Sequence, residues 1–331
     1  MNQPAQRWVY LNGEYVREAD AKISIFDSAL MFGDMIFEMT RSFNKKQFRL
    51  REHLERLALG MKIFHIPLDL SVDQLEARCL EVIEKNEPAF SKTDEHRLMI
   101  NVSRGPLSIY HKVFDRPVGP TVVIADFPLK WTVVGMGALF DKGINAVVPS
   151  QRAIPAALMD PKIKNRSRMF YQTANIELSR MKGENNWALL LDPDGFIAEG
   201  TGCNFFIVKD KKIFTPEGRN ILRGISRNYI FELAETLGIS CREKNLEPYD
   251  VYAADEAFVT ATPFCALPVT HFNFTKIGSG AMGAVTRQLL DVWGKNVGVD
   301  IVRQIKAFNE EVQLASAGPV STPYQFKTEE K

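Results

Sequence analysis

Polar features of five kinds stand out in this chain because their residue types could do chemistry together. They are Lys164 in PKIKNRSRMF, Glu199 in GFIAEGTGCNFF, the step Gly224–Ser226, Thr262 in VTATPF and Arg51 in FRLREHLERL. Each of the first four follows or interrupts an apolar run, which is where a scaffold would hold a small molecule. The guanidinium of an arginine is a planar fork suited to phosphate oxygens. An amine, a carboxylate and phosphate-binding groups are what pyridoxal phosphate requires.

Lys164 is the candidate nucleophile. The sequence predicts that it lies just before a helix N-terminus, where the macrodipole disfavours an ammonium, and apolar surroundings would favour the neutral amine as well. A lysine that can lose its proton can form a Schiff base. Lys162 is the local rival, and either side chain could instead be a solvated loop charge.

Each of the other candidates has a functional and a structural interpretation. Glu199 would partner the protonated pyridine nitrogen and keep the ring an electron sink, or it is an exposed hairpin residue. The N–H groups at Gly224–Ser226 could hold a phosphate or form an ordinary N-cap. Thr262 could donate to a phosphate or end a strand, and Arg51 could be solvated at a helix start.

A glycine-rich stretch, Gly278–Gly283, matches the GxGxxG pattern of dinucleotide sites and precedes a predicted helix. It follows polar residues rather than a buried strand, and nothing before it indicates a βαβ series. We therefore predict a turn that feeds the last helix, over about 284–294, and no dinucleotide site.

The composition is that of a globular protein, with 331 residues, 45% hydrophobic and 24% charged. A net charge of +1 indicates no nucleic-acid surface, and no apolar stretch is long enough to span a membrane. Four cysteines without a CxxC pair and the lack of a secretory pattern predict reduced thiols and a cytoplasmic location. Five histidines without ligand spacing predict no metal site.

The elements predicted around these residues suggest two domains. Asn12-Gly13 is a strong hairpin signal, and Ser71 with Gln74 forms a capping-box pattern at a helix start. Strands and helices mix up to residue 128, which predicts a small α+β domain. Residues 129–137 would connect it to a larger domain over 138–315, and 316–331 would be a loosely ordered tail.

Taken in order along the chain, these motifs resemble the class IV aminotransferases, the fold-type IV pyridoxal-phosphate enzymes. The stretches that carry the resemblance are FDSALMFGDMIFE, REHLERL, the lysine segment, GFIAEGTGCNFF, LRGISRN and DEAFVTATP. It implies a mixed α/β, two-domain enzyme with a small N-terminal α/β domain and a larger β-rich C-terminal domain. It also implies a homodimer that binds pyridoxal 5′-phosphate.

The resemblance implies a role for each matching residue. Lys164 is the Schiff-base lysine, Glu199 the partner of the pyridine nitrogen and Arg51 a phosphate ligand. Further phosphate-binding groups are implied at Ile225, Ser226 and Thr262. The substrate pocket is implied to be lined by Phe32 and Phe37.

Three departures from the family patterns concern the substrate. Branched-chain enzymes carry Gly-Asn-Tyr shortly after the lysine, whereas here no tyrosine appears before Tyr171. In those enzymes the residue after the phosphate-binding threonine offers an N–H to the substrate carboxylate, whereas here it is Pro263, which has none. D-amino-acid enzymes use an Arg-x-His pair, of which only His111 survives. Replacement carboxylate anchors could be Arg41, Arg104 or Arg168.

The sequence therefore predicts a transaminase that moves an amino group from an amino acid or amine to a 2-oxo acid by a ping-pong mechanism. Three alternatives stay open at this point. They are a lyase of the aminodeoxychorismate type, an R-selective amine transaminase, and a non-enzymatic binding module.

Overall fold

The computed structural model of this protein describes residues 6–114 and 118–315, which form two compact units. The first unit contains the described residues up to Trp131 together with Ile163–Arg168, and the second contains Thr132–Lys162 and the described residues from Met169 onward. The lysine segment, predicted within the second domain, thus belongs to the first unit. The predicted tail, 316–331, lies outside the described residues.

The first unit is built on an antiparallel sheet. Its strands are β1 (Trp8–Leu11), β2 (Glu14–Arg17), β3 (Met35–Met39), β4 (Ser42–Phe43), β5 (Lys46–Gln47), β6 (His96–Ser103) and β7 (Thr121–Pro128). Its helices are α1 (Ser28–Phe32), α2 (Leu50–Ile63) and α3 (Val72–Asn86). Five strands form one sheet in the order β2-β1-β7-β6-β3, and β4 pairs with β5. Strand β3 is therefore at one end of this order.

Two sequence signals set the local geometry of this unit. Asn12 and Gly13 both have positive φ, 50° and 99°, and join β1 to β2 as a two-residue turn. Ser71 and Gln74 form the capping box at the start of α3. Helices α2 and α3 bury their apolar faces against the sheet, in a core that includes Leu54, Leu57, Leu75, Cys79, Leu98 and Ile100. Both predictions are confirmed.

Along the chain, α4 (Lys130–Val133) comes at the change from one unit to the other. The second unit has strands β8 (Ile144–Val147), β9 (Asn186–Leu191), β10 (Ile197–Gly200), β11 (Asn204–Lys209), β12 (Lys212–Thr215), β13 (Cys241–Glu243), β14 (Glu256–Ala261), β15 (Cys265–Phe272) and β16 (Thr275–Lys276). Its helices are α5 (Leu139–Lys142), α6 (Met169–Ser179), α7 (Ile225–Thr236), α8 (Pro248–Tyr252), α9 (Ala284–Val297) and α10 (Ile301–Ala315).

The sheet of the second unit closes on itself. Its order is β10-β9-β8-β15-β14-β11-β12-β13, and β10 also pairs with β11. That extra pairing joins the two ends of the run from β10 to β11 into a ring. Glu199 faces Asn204 across the closing pair. The closure therefore places the predicted carboxylate on a strand whose register is fixed on both sides.

The predicted end of the last helix was wrong. Gly294 is buried within α9, and the helix ends at Gly298, which adopts the left-handed conformation at φ 70°. A further helix, α10, follows and buries Ile301, Ile305 and Phe308 at helical spacing. Among the described residues, no helix has the length and apolarity needed to cross a bilayer.

The glycine-rich stretch forms the turn before α9, and the N-terminus of that helix is capped from within the chain. The Glu256 carboxylate accepts hydrogen bonds from the N–H groups of Val285 and Thr286, at 3.0 Å each, and from the Thr286 hydroxyl at 2.9 Å. A Cβ at Gly283 would collide with that carboxyl group. A carboxylate thus takes the position that a pyrophosphate takes in a dinucleotide site.

Candidate active site

The segment that carries Lys164 runs beside β3. The Phe37 N–H donates to the Lys164 carbonyl at 2.9 Å, and the Arg166 N–H donates to the Met35 carbonyl at 2.9 Å. Helix α6 begins only at Met169, so Lys164 is not at a helix start and the macrodipole argument does not hold. The lysine is instead held in place by hydrogen bonds to a strand.

Three cations surround one aromatic ring in this part of the first unit. The Lys164 Nζ lies 4.8 Å from the centre of the Phe37 ring, the Arg166 guanidinium carbon 3.6 Å and the Arg168 guanidinium carbon 5.0 Å. Phe37 is 5% exposed, whereas the three cations are half-buried. The predicted lysine and the predicted pocket residue Phe37 therefore lie together.

Next to Phe37, β3 carries a buried carboxylate with two basic partners on α2. Glu38 contacts the His53 Nδ1 at 2.7 Å and the Arg56 Nε at 2.6 Å. Burial alone would raise the pKa of Glu38, but Arg56 and His53 outweigh it and hold that pKa well below its usual range. Burial lowers the pKa of His53, and the charges of Arg56 and Lys164 lower it further against the opposing effect of Glu38. Lys164 and Arg56 thus act on the same imidazole.

The predicted phosphate ligand Arg51 lies elsewhere on α2. Its guanidinium pairs with Asp73 at 2.5 Å and with Glu76, both on α3, and its side chain is 42% exposed. Positions five apart on a helix are about 140° apart around the axis, so Arg56 faces the Glu38 cluster while Arg51 does not. These contacts argue against Arg51 as the phosphate ligand. The helical spacing of His53 and Arg56 in REHLERL is the signal that could have identified Arg56.

In the second unit, Glu199 is 6% exposed and accepts hydrogen bonds from neutral groups on three sides. The Tyr171 hydroxyl donates to Oε1 at 3.0 Å, and the Asn204 amide and the Leu222 N–H each donate to Oε2 at 3.1 Å. The alternative of an exposed hairpin residue was wrong. Tyr171 and Asn204 were missed, because only the strand pairing and the fold of α6 bring them to Glu199.

The predicted phosphate-binding turn lies directly beside this carboxylate. The Asn204 amide also donates to the Leu222 carbonyl at 2.8 Å, and a Cβ at Gly224 would collide with the Asn204 side chain. Gly224 is the N-cap of α7, with extended φ and ψ and no side-chain cap. Ser226 is 6% exposed in the first turn. Only a glycine allows the turn to approach Asn204 this closely.

Thr262 lies in the turn after β14. Two positions earlier, Thr260 faces Asn204 across the β11–β14 pair, so Thr262 follows the strand that neighbours the Asn204 position. Its residue is half-buried. Glu199 and the turn before α7 are thus linked through Asn204, and Thr262 follows the strand that pairs with β11 at Asn204.

The predicted substrate residues of the first unit differ in their surroundings. Phe32 is 65% exposed on α1, and His111 is exposed on a short 3-10 helix, where its Nδ1 lies 2.9 Å from the Ser108 carbonyl oxygen. Arg41 is 1% exposed, and its guanidinium lies 3.8 Å from the Phe43 ring centre.

Arg104 is held by a different set of groups. Its Nε donates to Asp34 at 2.8 Å, and its Nη atoms donate to the backbone carbonyls of Phe64 and His65 at 2.8 Å each. These bonds connect the turn after α1, which contains Asp34, to the end of α2. They describe a structural arginine.

Comparison with known proteins identifies the family. The family model for amino-transferase class IV matches residues 35–272. The chain is 32% identical over 283 residues to a putative branched-chain-amino-acid aminotransferase of Methanocaldococcus jannaschii, covering 85% of this chain and 93% of that protein. It is 32% identical over 290 residues to the branched-chain-amino-acid aminotransferase of Escherichia coli strain K12, covering 85% and 90%.

Solved structures agree with this assignment. The crystal structure of the Escherichia coli branched-chain amino acid aminotransferase superposes with a TM-score of 0.76 at 29% identity, covering 88% of this chain and 94% of that one. A T.th. branched-chain amino acid aminotransferase, complexed with N-(5′-phosphopyridoxyl)-L-glutamate, gives 0.75 at 26% identity, covering 89% and 95%. The predicted family, fold class and transaminase activity are confirmed, and the lyase alternative is not favoured. This chain belongs to the class IV aminotransferases, a family of pyridoxal-phosphate enzymes.

Proposed function

We propose that this aminotransferase binds pyridoxal 5′-phosphate through Lys164 and moves an amino group from an amino acid to a 2-oxo acid. When bound, the cofactor supplies an aldehyde that takes the amino group and a ring that acts as an electron sink. The observation that carries the proposal is the placement of Lys164. Lys164 is half-buried, its backbone is bonded to β3, and its amine lies 4.8 Å from the centre of the Phe37 ring.

The residues of the second unit fit the remaining needs of that cofactor. Three neutral donors stabilise the Glu199 carboxylate, which suits it to accept a hydrogen bond from a protonated ring nitrogen. The first N–H groups of α7, at Ile225 and Ser226, suit a phosphate, and the Thr262 hydroxyl would add a donor.

The first unit, taken by itself, also contains an arginine that suits a phosphate. We assign this role to Arg56 rather than Arg51, because Arg56 binds Glu38 on β3, the strand to which the Lys164 backbone is bonded, whereas Arg51 pairs with acidic residues on α3. Glu38 orients the Arg56 guanidinium through Oε1 and Oε2, at 2.6 and 2.8 Å. A guanidinium fixed in this way loses little side-chain entropy when it binds an oxyanion.

Lys164 also has the proton-transfer role. After the amino donor has taken its place at the cofactor, the Lys164 Nζ takes the proton from the donor's α-carbon as a base and returns a proton as an acid. Tyr171 and Asn204 hold Glu199 in position during both half-reactions. One water molecule supplies the carbonyl oxygen as the donor leaves as a 2-oxo acid, and a second 2-oxo acid reacts in the reverse direction and releases a water molecule.

We propose that the working form is a homodimer. Helix α1 exposes large apolar side chains, with Leu30 62% and Phe32 65% exposed, and Ile109 is 73% exposed. Apolar side chains of this size on a soluble surface are commonly covered by a partner chain. Light scattering at micromolar concentration should give twice the mass of the 37.4 kDa chain, and a monomeric mass would contradict the dimer.

The lysine assignment is tested by trapping. The protein is incubated with pyridoxal phosphate, reduced with borohydride and digested, and the labelled peptide is identified by mass spectrometry. We expect the label on Lys164. In Lys164→Ala we expect no label and a loss of activity of about 10,000-fold, since base catalysis contributes up to that factor.

Lys162→Ala is the matched control. Lys162 lies two positions away and binds Asp160 at 2.8 Å and the Arg219 carbonyl at 3.2 Å. We expect it to label and turn over normally. A label on Lys162, or full labelling of Lys164→Ala, would refute the assignment.

A further inference from the structure

The cations around Phe37 are grouped closely enough to act together on one substrate group. Arg166 and Arg168 flank the same ring as the Lys164 amine, with guanidinium carbons 3.6 and 5.0 Å from the ring centre. Neither residue is needed to bind a ring nitrogen or a phosphate in the assignment above. Two guanidinium groups beside a reactive amine create a positive potential at the position that a substrate must reach.

Arg166 is oriented by its neighbours. Its Nε and Nη2 donate to the Asn101 Oδ1 at 3.2 and 2.8 Å, and Asn101 faces Phe37 across the β3–β6 pair. The ring supports the guanidinium from one face. A planar fork held on an edge and a face is preorganised for a carboxylate.

Arg168 is fixed in a similar way. Its Nε donates to the Asn165 carbonyl at 2.7 Å, and it lies two positions after Arg166 on the same segment. The segment itself is bonded to β3. The backbone of this segment is therefore fixed by β3, while the Arg166 guanidinium is oriented by Asn101 on β6 and the Arg168 guanidinium by the Asn165 carbonyl.

The other arginines considered as carboxylate anchors have structural contacts. Arg41 is 1% exposed, and its Nε donates to the Ser42 carbonyl at 3.2 Å. Arg104 is bound to Asp34 and to backbone carbonyls. Pro263 has no N–H to offer. Arg166 and Arg168, on the lysine segment, are therefore the remaining candidates for binding the substrate carboxylate.

We infer that Arg166, supported by Arg168, binds the carboxylate of the amino donor and of the 2-oxo acid, and so restricts the enzyme to carboxylate-bearing substrates. The inference rests on the proposed function, because it assumes that substrates react at Lys164. It replaces an N–H contact by a guanidinium contact. Amines without a carboxylate are poor substrates for such a site.

The test compares an inert acid with its neutral amide. Binding of 4-methylvaleric acid and of 4-methylvaleramide to the cofactor-loaded protein is measured by isothermal titration calorimetry at pH 7.5. We expect the wild-type protein to bind the acid at least about 10-fold more tightly than the amide, since a charge-assisted bidentate pair is the stronger contact. In Arg166→Met that preference should disappear.

Kinetics supply the second measurement. In Arg166→Met, kcat/KM for carboxylate substrates should fall roughly 100-fold, mainly through KM, because binding of the substrate is lost rather than chemistry. The half-reaction of the cofactor-loaded enzyme with 1-phenylethylamine alone, an amine without a carboxylate, is followed in the absence of a 2-oxo acid, and its rate should change less than about 3-fold. Arg168→Met should show the same pattern with a smaller effect.

Arg17→Met is the matched control, because Arg17 also lies over an aromatic ring of the first unit. Its guanidinium carbon is 3.6 Å from the Trp8 ring centre. We expect no change in the preference for the acid. Arg166→Gln, which retains hydrogen-bonding groups, gives a second test if Arg166→Met does not fold.

Two results would overturn the inference. One is an acid preference in either Arg166 variant equal to that of the wild type, and the other is an equal loss of activity on acids and on 1-phenylethylamine. Borohydride trapping separates these results from a failure of the proposed function. If Lys164 is labelled in the variants, the lysine assignment stands whatever happens to the carboxylate preference.

Discussion

Glu38 in the first unit and Glu199 in the second are both buried carboxylates, but their neighbours differ in charge. Glu38 is bound by the cationic Arg56 and by His53, and its exposure is 0%. Glu199 is bound by a phenol, an amide and a backbone N–H, which are all neutral. A buried charge needs partners in either case.

The comparison shows how one residue type is suited to two roles. The positive charge of Arg56 balances the negative charge of Glu38, so this carboxylate mainly orients Arg56 and stabilises the unit. Neutral donors fix the position of Glu199 without supplying a positive charge of their own. A carboxylate held in this way suits a cationic partner such as a protonated ring nitrogen.

The largest effect should come from Glu199→Gln. The amide can still accept hydrogen bonds but cannot balance a ring cation, so we expect kcat to fall roughly 100- to 1,000-fold, as for other preorganised electrostatic groups. Steady-state kinetics measure the loss, and urea unfolding should show a stability near that of the wild type. Normal turnover in this variant would remove the proposed role of Glu199.

Glu38→Gln, in contrast, should lower the free energy of unfolding. It leaves the Arg56 charge beside a neutral amide in a buried site, which costs about 3–5 kcal/mol of unfolding free energy. Urea unfolding of the apoprotein measures this change, with Glu199→Gln as the matched control. Equal destabilisation by both substitutions would erase the distinction between the two carboxylates.

A smaller effect should appear as a pH dependence of stability in the Glu38 cluster. The pKa of His53 is lowered from its ordinary value of 6.5 by burial, so below about pH 6.5 the unfolded chain binds a proton that the folded chain does not. The contribution of His53 to stability is therefore present above pH 6.5 and is lost as the pH falls. The pKa of Glu38 is also lowered, and its contribution is lost at lower pH, below its ordinary value of 4.5.

His53→Asn isolates the first of these contributions. The amide can still donate to Glu38 but does not titrate. Between pH 7.5 and 5.5, the unfolding free energy of the wild type should fall by about 1 kcal/mol more than that of the variant, since one pKa unit corresponds to 1.36 kcal/mol. Parallel pH profiles for the two proteins would show that His53 is not the titrating group.

The sequence was most informative where chemistry and local conformation coincide. Ser71 with Gln74 and Asn12 with Gly13 act over a few residues, so their structures could be predicted without the rest of the chain. Glu199 was singled out because a charged residue among apolar and small ones is unusual. Lys164 was singled out by an expected helix start, which the structure instead places at Met169. The sequence did not identify Arg56 on α2, because the choice between Arg51 and Arg56 depends on which face of the helix meets β3.

Other residues could not be predicted because their function depends on pairing between distant segments. Asn204 becomes important only when β10 pairs with β11 and closes the ring. Tyr171 was noted only as a tyrosine too late in the chain for the branched-chain pattern, yet its hydroxyl reaches Glu199. Arg166 gains its meaning from Asn101 on β6, 65 positions away.

The Glu256 carboxylate at the start of α9 has a consequence for how glycine-rich patterns are interpreted. Glycines before a helix indicate that another group approaches the backbone closely at that point, but they do not show whether it is a ligand or a side chain. In this protein that group is the Glu256 carboxylate of the same polypeptide, and Gly283 leaves the space for it. When a GxGxxG pattern is used to search for nucleotide-binding enzymes, it is therefore useful to test whether a carboxylate of the same chain already occupies the helix N-terminus.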